Sequence, residues 1–287
     1  MFTDHNGPNA LPLTTQNQAG SASHQSANVD TRELARLLRF DLDAECSLDG
    51  VTFTTRRIAE GEVLYRAGDA FHSLYVVRSG FFKTLLLDPS GTEQVVSFPM
   101  QADVMGADGL AAGRYTSEAI AIEAAEVIVV PFSRLAALAR QLPAVEHIVY
   151  GILSRELVRE QAMLYVIGSL GADARVAAFL LDLSDRFGAL GYSRKSFNLR
   201  MTRQEIGSYL GLQLETVSRA LSAFDAARLI KAHLKHIDIL DVAALRRVTE
   251  EPAATPSRSR LARHVAPPAL ASVRARSTIF RPAFAMI

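Results

Sequence analysis

What most restricts the folds open to this chain is a change of apolar rhythm at Pro131. Upstream, between Val51 and Phe132, apolar residues fall in short β-rich runs parted by Gly, Asp and Pro; downstream they recur every three or four residues. Side chains alternate faces along a strand and return to one face every 3.6 residues along a helix, so the first texture is strands and the second helices. The expected class is therefore α+β, an all-β unit followed by an α-rich one. At 287 residues the chain accommodates two domains with tails to spare.

The runs at 51–55, 61–65, 73–77, 81–87, 92–98 and 127–131 are spaced by turn signals such as Ala67-Gly68-Asp69, Ser79-Gly80 and Asp88-Pro89-Ser90-Gly91. Short strands at this spacing predict a small barrel or jelly roll, a double-stranded β-helix. Residues 1–29, rich in Asn, Gln, Ser, Thr and Pro, read as a disordered arm. A short helix at 31–40, with Leu34, Leu37 and Leu38 on one face, opens a sensor-like barrel domain over 30–142. A long helix is expected over 143–171. Along it Leu153, Leu157, Glu160, Leu164 and Ile167 alternate spacings of four and three, the seam of a two-stranded coiled coil, which predicts a homodimer. Glu160 alone interrupts the apolar line, and two-fold symmetry would bring it close to its own copy, weakening association. Residues 249–287, rich in Pro, Ala, Ser and Arg, are assigned no fold and read as a disordered, basic tail.

The most informative segment lies inside the remaining region, 172–248. Thr202 is a good helix N-cap, and Glu205 three residues on completes a capping box. Ile206 and Leu210 face inward, Gly207 is small where a second helix crosses, Gly211 supplies the positive φ of a turn, and Leu212 plugs the angle. A second helix begins near Gln213, with Leu214, Val217 and Leu221 buried and with Glu215, Thr216, Ser218, Arg219 and Ser222 exposed. In a helix-turn-helix these exposed positions enter the major groove, where Arg reads guanine, Glu accepts from cytosine, and Ser is versatile. A β-hairpin wing is expected over 230–240. Glu215, Ser218 and Arg219 are therefore the candidate base contacts, and Thr202, Arg203, Thr216, Lys231 and Lys235 the candidate phosphate contacts. The net charge of +1 says little about nucleic acid, but eight basic residues against three acidic ones between Leu190 and Lys235 form the footprint a phosphate backbone requires.

The strings MTRQEIGSYLGLQLETVSRALSAF, RVAAFLLDLSDRFGALGYS and FHSLYVVRSGFFKTLLLDPSGTEQVVSFPM resemble the CRP/FNR transcription regulators over residues 31–248, on the FNR side. The resemblance implies a winged helix-turn-helix regulator, a palindromic target of the form TTGAT-N4-ATCAA read at Glu215, Ser218 and Arg219, and contact with RNA polymerase from loops near Asp88 to Glu93 and the barrel surface. It also implies that an acidic residue at the place of Glu160 makes dimerisation conditional. FNR itself holds an oxygen-labile iron–sulfur cluster on four cysteines, whereas this chain has one, Cys46, with Ile128 at the barrel ligand's place, so no such cluster is expected. An Arg-Ser pair that would hold a cyclic nucleotide is replaced by Tyr115 and Thr116, with Arg114 one residue away and Glu118 set to repel an anion. A cyclic nucleotide, a haem, another small effector and control by abundance all stay open as the signal.

Other classes fare worse on the residues. A cupin-type enzyme clusters histidines for a metal, and 51–132 contains only His72. A helical hairpin that docks a partner helix would expose an apolar face on its second helix rather than Glu, Thr, Ser and Arg. Cys46 sits among acidic residues that disfavour the thiolate, and His233 with His236 lacks a third ligand, so neither marks a redox or metal site. No apolar run reaches the roughly 18 residues of a membrane span, and the polar start lacks the layout of a secretory signal, so a cytoplasmic protein is expected.

Overall fold

A computed structural model describes residues 27–40, 50–87 and 91–250. All belong to one unit of the chain, Met1–Pro252; the other, Ala253–Ile287, lies outside them, as do Cys46 and Asp88–Ser90 of the loop assigned to RNA polymerase.

Two antiparallel sheets form the N-terminal barrel. The first, in the order β1-β2-β9-β4-β7, joins Asn28–Asp30, Thr52–Ile58, Ala125–Pro131, Ser73–Ser79 and Val104–Met105. The second, β3-β8-β5-β6, joins Val63–Tyr65, Glu118–Ala121, Phe82–Leu87 and Glu93–Ser97. The jelly-roll expectation is met. Strand alternation explains how β4 and β9 tolerate near-continuous apolar runs, since both faces are covered. Tyr75 and Val77 on β4, with Val127 on β9, point between the sheets, where Phe82, Met105 and Tyr115 meet them. Leu74, Val76, Ile128 and Val130 point the other way, into a layer of helices.

That layer is α1 (Thr31–Leu37), α2 (Phe132–Gln141) and the start of α3 (Pro143–Ser169). Asp30 caps α1, its side chain accepting the Glu33 N–H at 2.6 Å. One expectation is corrected at this end: Asn28 and Val29, placed in the disordered arm, belong to strand β1 because Val29 is fully buried against Phe53 of β2. Helix α3 matches the expected span to within a residue or two. Its inward face buries Val145 and Ile152, and Arg155 lies over the Phe40 ring at 4.0 Å.

The remaining elements form the C-terminal winged helix. Helices α4 (Ala172–Ala189), α5 (Arg203–Leu210), α6 (Leu214–Ala226) and α7 (Val242–Glu250) surround a core of Val176, Leu180, Leu183, Ile206, Leu221 and Leu245. Beside them a three-stranded sheet, β10-β12-β11, joins Ser196–Asn198, His236–Ile239 and Ile230–His233. Thr249 and Glu250, expected to begin the tail, instead end α7.

This core continues into the barrel. Phe98 meets Phe179 of α4 and Tyr209 of α5 edge-on, with centroids 6.1 and 5.2 Å apart. Asp103, nearly buried, takes Arg159 of α3 at 2.8 Å and Arg186 of α4 at 2.5 Å. One carboxylate thus ties barrel, long helix and winged helix together. Opposite charge from Asp103 and Glu156 raises the Arg159 guanidinium's pKa against the burial that lowers it.

Candidate nucleic-acid interface

The site begins with the turn between α5 and α6. The Thr202 hydroxyl accepts the Glu205 N–H at 3.2 Å, and the Glu205 carboxylate accepts the Thr202 N–H at 2.7 Å, so the capping box read from the sequence is formed in both directions. Gly211 ends α5 in the left-handed region at φ 65°, which L side chains rarely adopt. At Gly207 a Cβ would lie 2.6 Å from the Leu212 carbonyl oxygen, so the small residue is demanded by the backbone of the turn as it enters α6. The Leu212 N–H donates to the Gly207 carbonyl at 2.8 Å and closes the corner.

Helix α6 buries Val217, Ala220, Leu221 and Phe224. Leu214, assigned to that face by its spacing, is instead 41% exposed, because it occupies the first turn, where α6 has not yet reached the core. Glu215 and Arg219 are exposed one turn apart, with Ser218 and Thr216 half-buried between them. The Arg219 guanidinium lies 3.4 Å from the Thr216 hydroxyl. This face therefore offers one acid, one guanidinium and two hydroxyls to whatever approaches it.

The basic neighbourhood is exposed throughout: Arg194, Lys195, Arg200, Arg203, Arg219, Arg228, Lys231 and Lys235 all face solvent. Arg194 and Arg200 pair with Asp185 and Glu123, whereas Arg203, Arg219 and Lys231 form no ion pair among the described residues. The wing turns at Leu234, which has φ 54° and projects 82% exposed beside Lys235. The Lys235 ammonium donates to the Arg200 carbonyl at 3.4 Å. His233 and His236 face each other across the wing strands, but His236 is engaged by Ser196, Asn198 and Asp238, and no metal-holding group of three such side chains is found among the described residues.

The seam residues of α3, Leu153, Leu157, Glu160, Leu164 and Ile167, are all exposed, Leu157 and Leu164 by 56% and 72%. Tyr150, Val158 and Tyr165 add apolar area beside them. Contiguous apolar surface of this kind on one helix marks an interaction face.

A residue the sequence reading passed over also shapes the site. Lys83, on β5, places its ammonium 2.8 Å from Glu205, and the Val95 N–H of β6 donates to the Ser208 hydroxyl at 2.9 Å. Burial raises the Glu205 carboxyl, but the Lys83 ammonium and the two Thr202 donors outweigh it and hold the group below the ordinary carboxylate range. The barrel thus grips the first helix of the motif and leaves the second uncovered.

The barrel does not suit the iron–sulfur centre the resemblance brings to mind. Ile128 is apolar and fully buried, and one cysteine cannot replace four. A cavity of about 40 Å³ under α1 is lined by residues such as Leu34, Phe53, Val76, Val130, Leu135 and Ile152, with no His, Cys or Met to ligate a haem iron.

Comparison with known proteins completes the picture. A cyclic nucleotide-binding domain model matches residues 55–141 and a Crp-like helix-turn-helix domain model matches residues 174–248. The transcriptional activator protein Anr of Pseudomonas protegens is 40% identical over 222 residues, 76% of this chain and 91% of that protein. The transcriptional regulatory protein btr of Bordetella pertussis is 38% identical over 201 residues, 70% of this chain and 83% of that protein. The structure of FixK2 from Bradyrhizobium japonicum superposes with a TM-score of 0.63 at 28% identity, covering 69% of this chain and 98% of that one. No described helix is long and apolar enough to cross a membrane. With its barrel, its helix-turn-helix and its likeness to these regulators over about 70–76% of its length, the chain belongs to the CRP/FNR family of DNA-binding transcription regulators.

Proposed function

We propose that the protein acts in the cytoplasm as a homodimer that binds a TTGAT-N4-ATCAA palindrome and contacts RNA polymerase. The carrying observation is the outward face of α6, where Glu215 and Arg219 stand exposed with Ser218 between them. In the major groove Arg219 donates to guanine O6 and N7, Glu215 accepts from a cytosine amino group, and Ser218 adds a hydroxyl contact. Thr202, Arg203 and Thr216 at the helix starts, with Lys231 and Lys235 on the wing, hold the phosphates and set the register without reading sequence. Pairing of two copies along Leu153, Leu157, Glu160, Leu164 and Ile167 buries their exposed apolar side chains and gives two reading heads for two half-sites. The barrel surface around the loop that ends at Glu93 is the face assigned to RNA polymerase.

A fluorescence-anisotropy titration with the palindromic duplex and with a shuffled duplex of the same composition tests the reading. The palindrome should bind at least about a thousandfold more tightly. Equal affinity for the two would overturn it.

A further inference from the structure

One oxygen in the barrel collects four hydrogen bonds. Oδ2 of Asp108, on the short helical turn Ala107–Gly109, accepts the N–H and hydroxyl of Thr116 at 2.9 and 2.8 Å and those of Ser117 at 2.8 and 2.9 Å. Two successive backbone N–H groups and two hydroxyls converging on a point form a cradle for an oxyanion. Here the chain supplies that anion itself. The nearby arginines in sequence are engaged elsewhere: Arg66 lies 3.9 Å from Glu118, and Arg114 donates to the Gly68 carbonyl at 2.7 Å.

The family model matched to this barrel implies a cyclic nucleotide, and the residues do not fit one. A phosphodiester at Thr116 and Ser117 would meet the Asp108 carboxylate at the same donors, like charge against like charge. Beside the cradle the interior is filled by stacked rings, Tyr65 on Tyr115 at 4.1 Å and on Tyr75 at 5.7 Å. The Tyr115 hydroxyl donates to the Ser73 carbonyl at 2.8 Å, and Tyr65 and Tyr115 are each about 95% covered, so the stack is locked in place. Burial first, and then the nearby Asp108 charge, push the Tyr65 phenol above its ordinary range.

We propose that Asp108 is a built-in anion that fills the barrel's oxyanion cradle, and that removing its carboxylate opens a latent site for inorganic phosphate at Thr116 and Ser117 that has no room for a nucleoside. Asp108 is exposed, so the vacated cradle is reachable from solvent. The inference does not depend on how the protein reads DNA.

Isothermal titration of the full chain and of Asp108→Ala with sodium phosphate and with cyclic AMP, at constant ionic strength, tests it. The DNA-binding face is common to both proteins, so the difference between them reports the cradle. Phosphate should bind Asp108→Ala at least about tenfold more tightly than the parent, and Thr116→Val with Ser117→Ala in that background should remove the gain. Equal phosphate affinities, a gain that survives loss of both hydroxyls, or saturable cyclic AMP binding to either protein would overturn the proposal. If Asp108→Ala does not fold, Asp108→Ser, whose shorter side chain also vacates the point where the four donors meet, carries the test by thermal melting. Phosphate should then raise the variant's midpoint and not the parent's, and an indifferent variant overturns it equally.

Discussion

Arg219 is held in the free protein by little more than the Thr216 hydroxyl, so its fork is available to a base edge at small cost. Truncation to Ala should cost roughly 1–3 kcal/mol of discrimination at one base pair and leave stability nearly unchanged. Affinities for duplexes substituted one position at a time measure this; an even loss across all positions would make Arg219 a phosphate contact instead. Glu205 supports a different kind of prediction. Its folded carboxyl is held low by Lys83 and Thr202, so its contribution is complete above the unfolded value near 4.5 and is lost as pH falls through the lower, folded one. The stability gap between the parent and Glu205→Gln should be full at pH 7 and close as solutions are acidified below about pH 4. Chemical denaturation across that range gives the answer, and a gap that widens in acid would refute the assignment.

At the scale of elements, α3 carries the most consequence. Its apolar strip ends in solvent with Glu160 inside it, and two Glu160 side chains facing each other would repel. Replacing Glu160 by Ala should tighten the dimer by roughly 1 kcal/mol, several-fold in the dissociation constant by sedimentation equilibrium; an unchanged constant would take Glu160 out of the seam. This helix and the turn at Gly211 were legible because period and capping are local properties of the chain. Strands β1, β7, β8 and β10 were not. Each has two to four residues and owes its order to a partner strand, so Asn28–Asp30 is a strand only because Thr52–Thr54 lies beside it. The reading face shows the same division. Glu215 and Arg219 announce themselves by chemistry on an amphipathic helix, whereas the Lys83 and Glu205 pairing joins positions 122 residues apart and leaves no local mark.

For the whole molecule, a net charge of +1 means that attraction to DNA depends on how charge is sorted. Lys231, exposed on the wing and in no ion pair among the described residues, is the clearest probe of that sorting. Lys231→Ala should weaken binding to every duplex alike, and the slope of log affinity against log salt should flatten by about 2 for a dimer that loses two phosphate contacts. A slope that does not change would remove Lys231 from the backbone contacts. The grip of the barrel on α5 reaches beyond DNA binding as well. Strand β6 is the last of its sheet, and Ser208 takes the amide that Val95 turns outward. An uncovered strand border is a template on which other chains polymerise, so a fragment cut after Leu170 should scatter light within hours where the intact chain stays clear. The first helix of the DNA-binding motif therefore also occupies the border at which such pairing would begin.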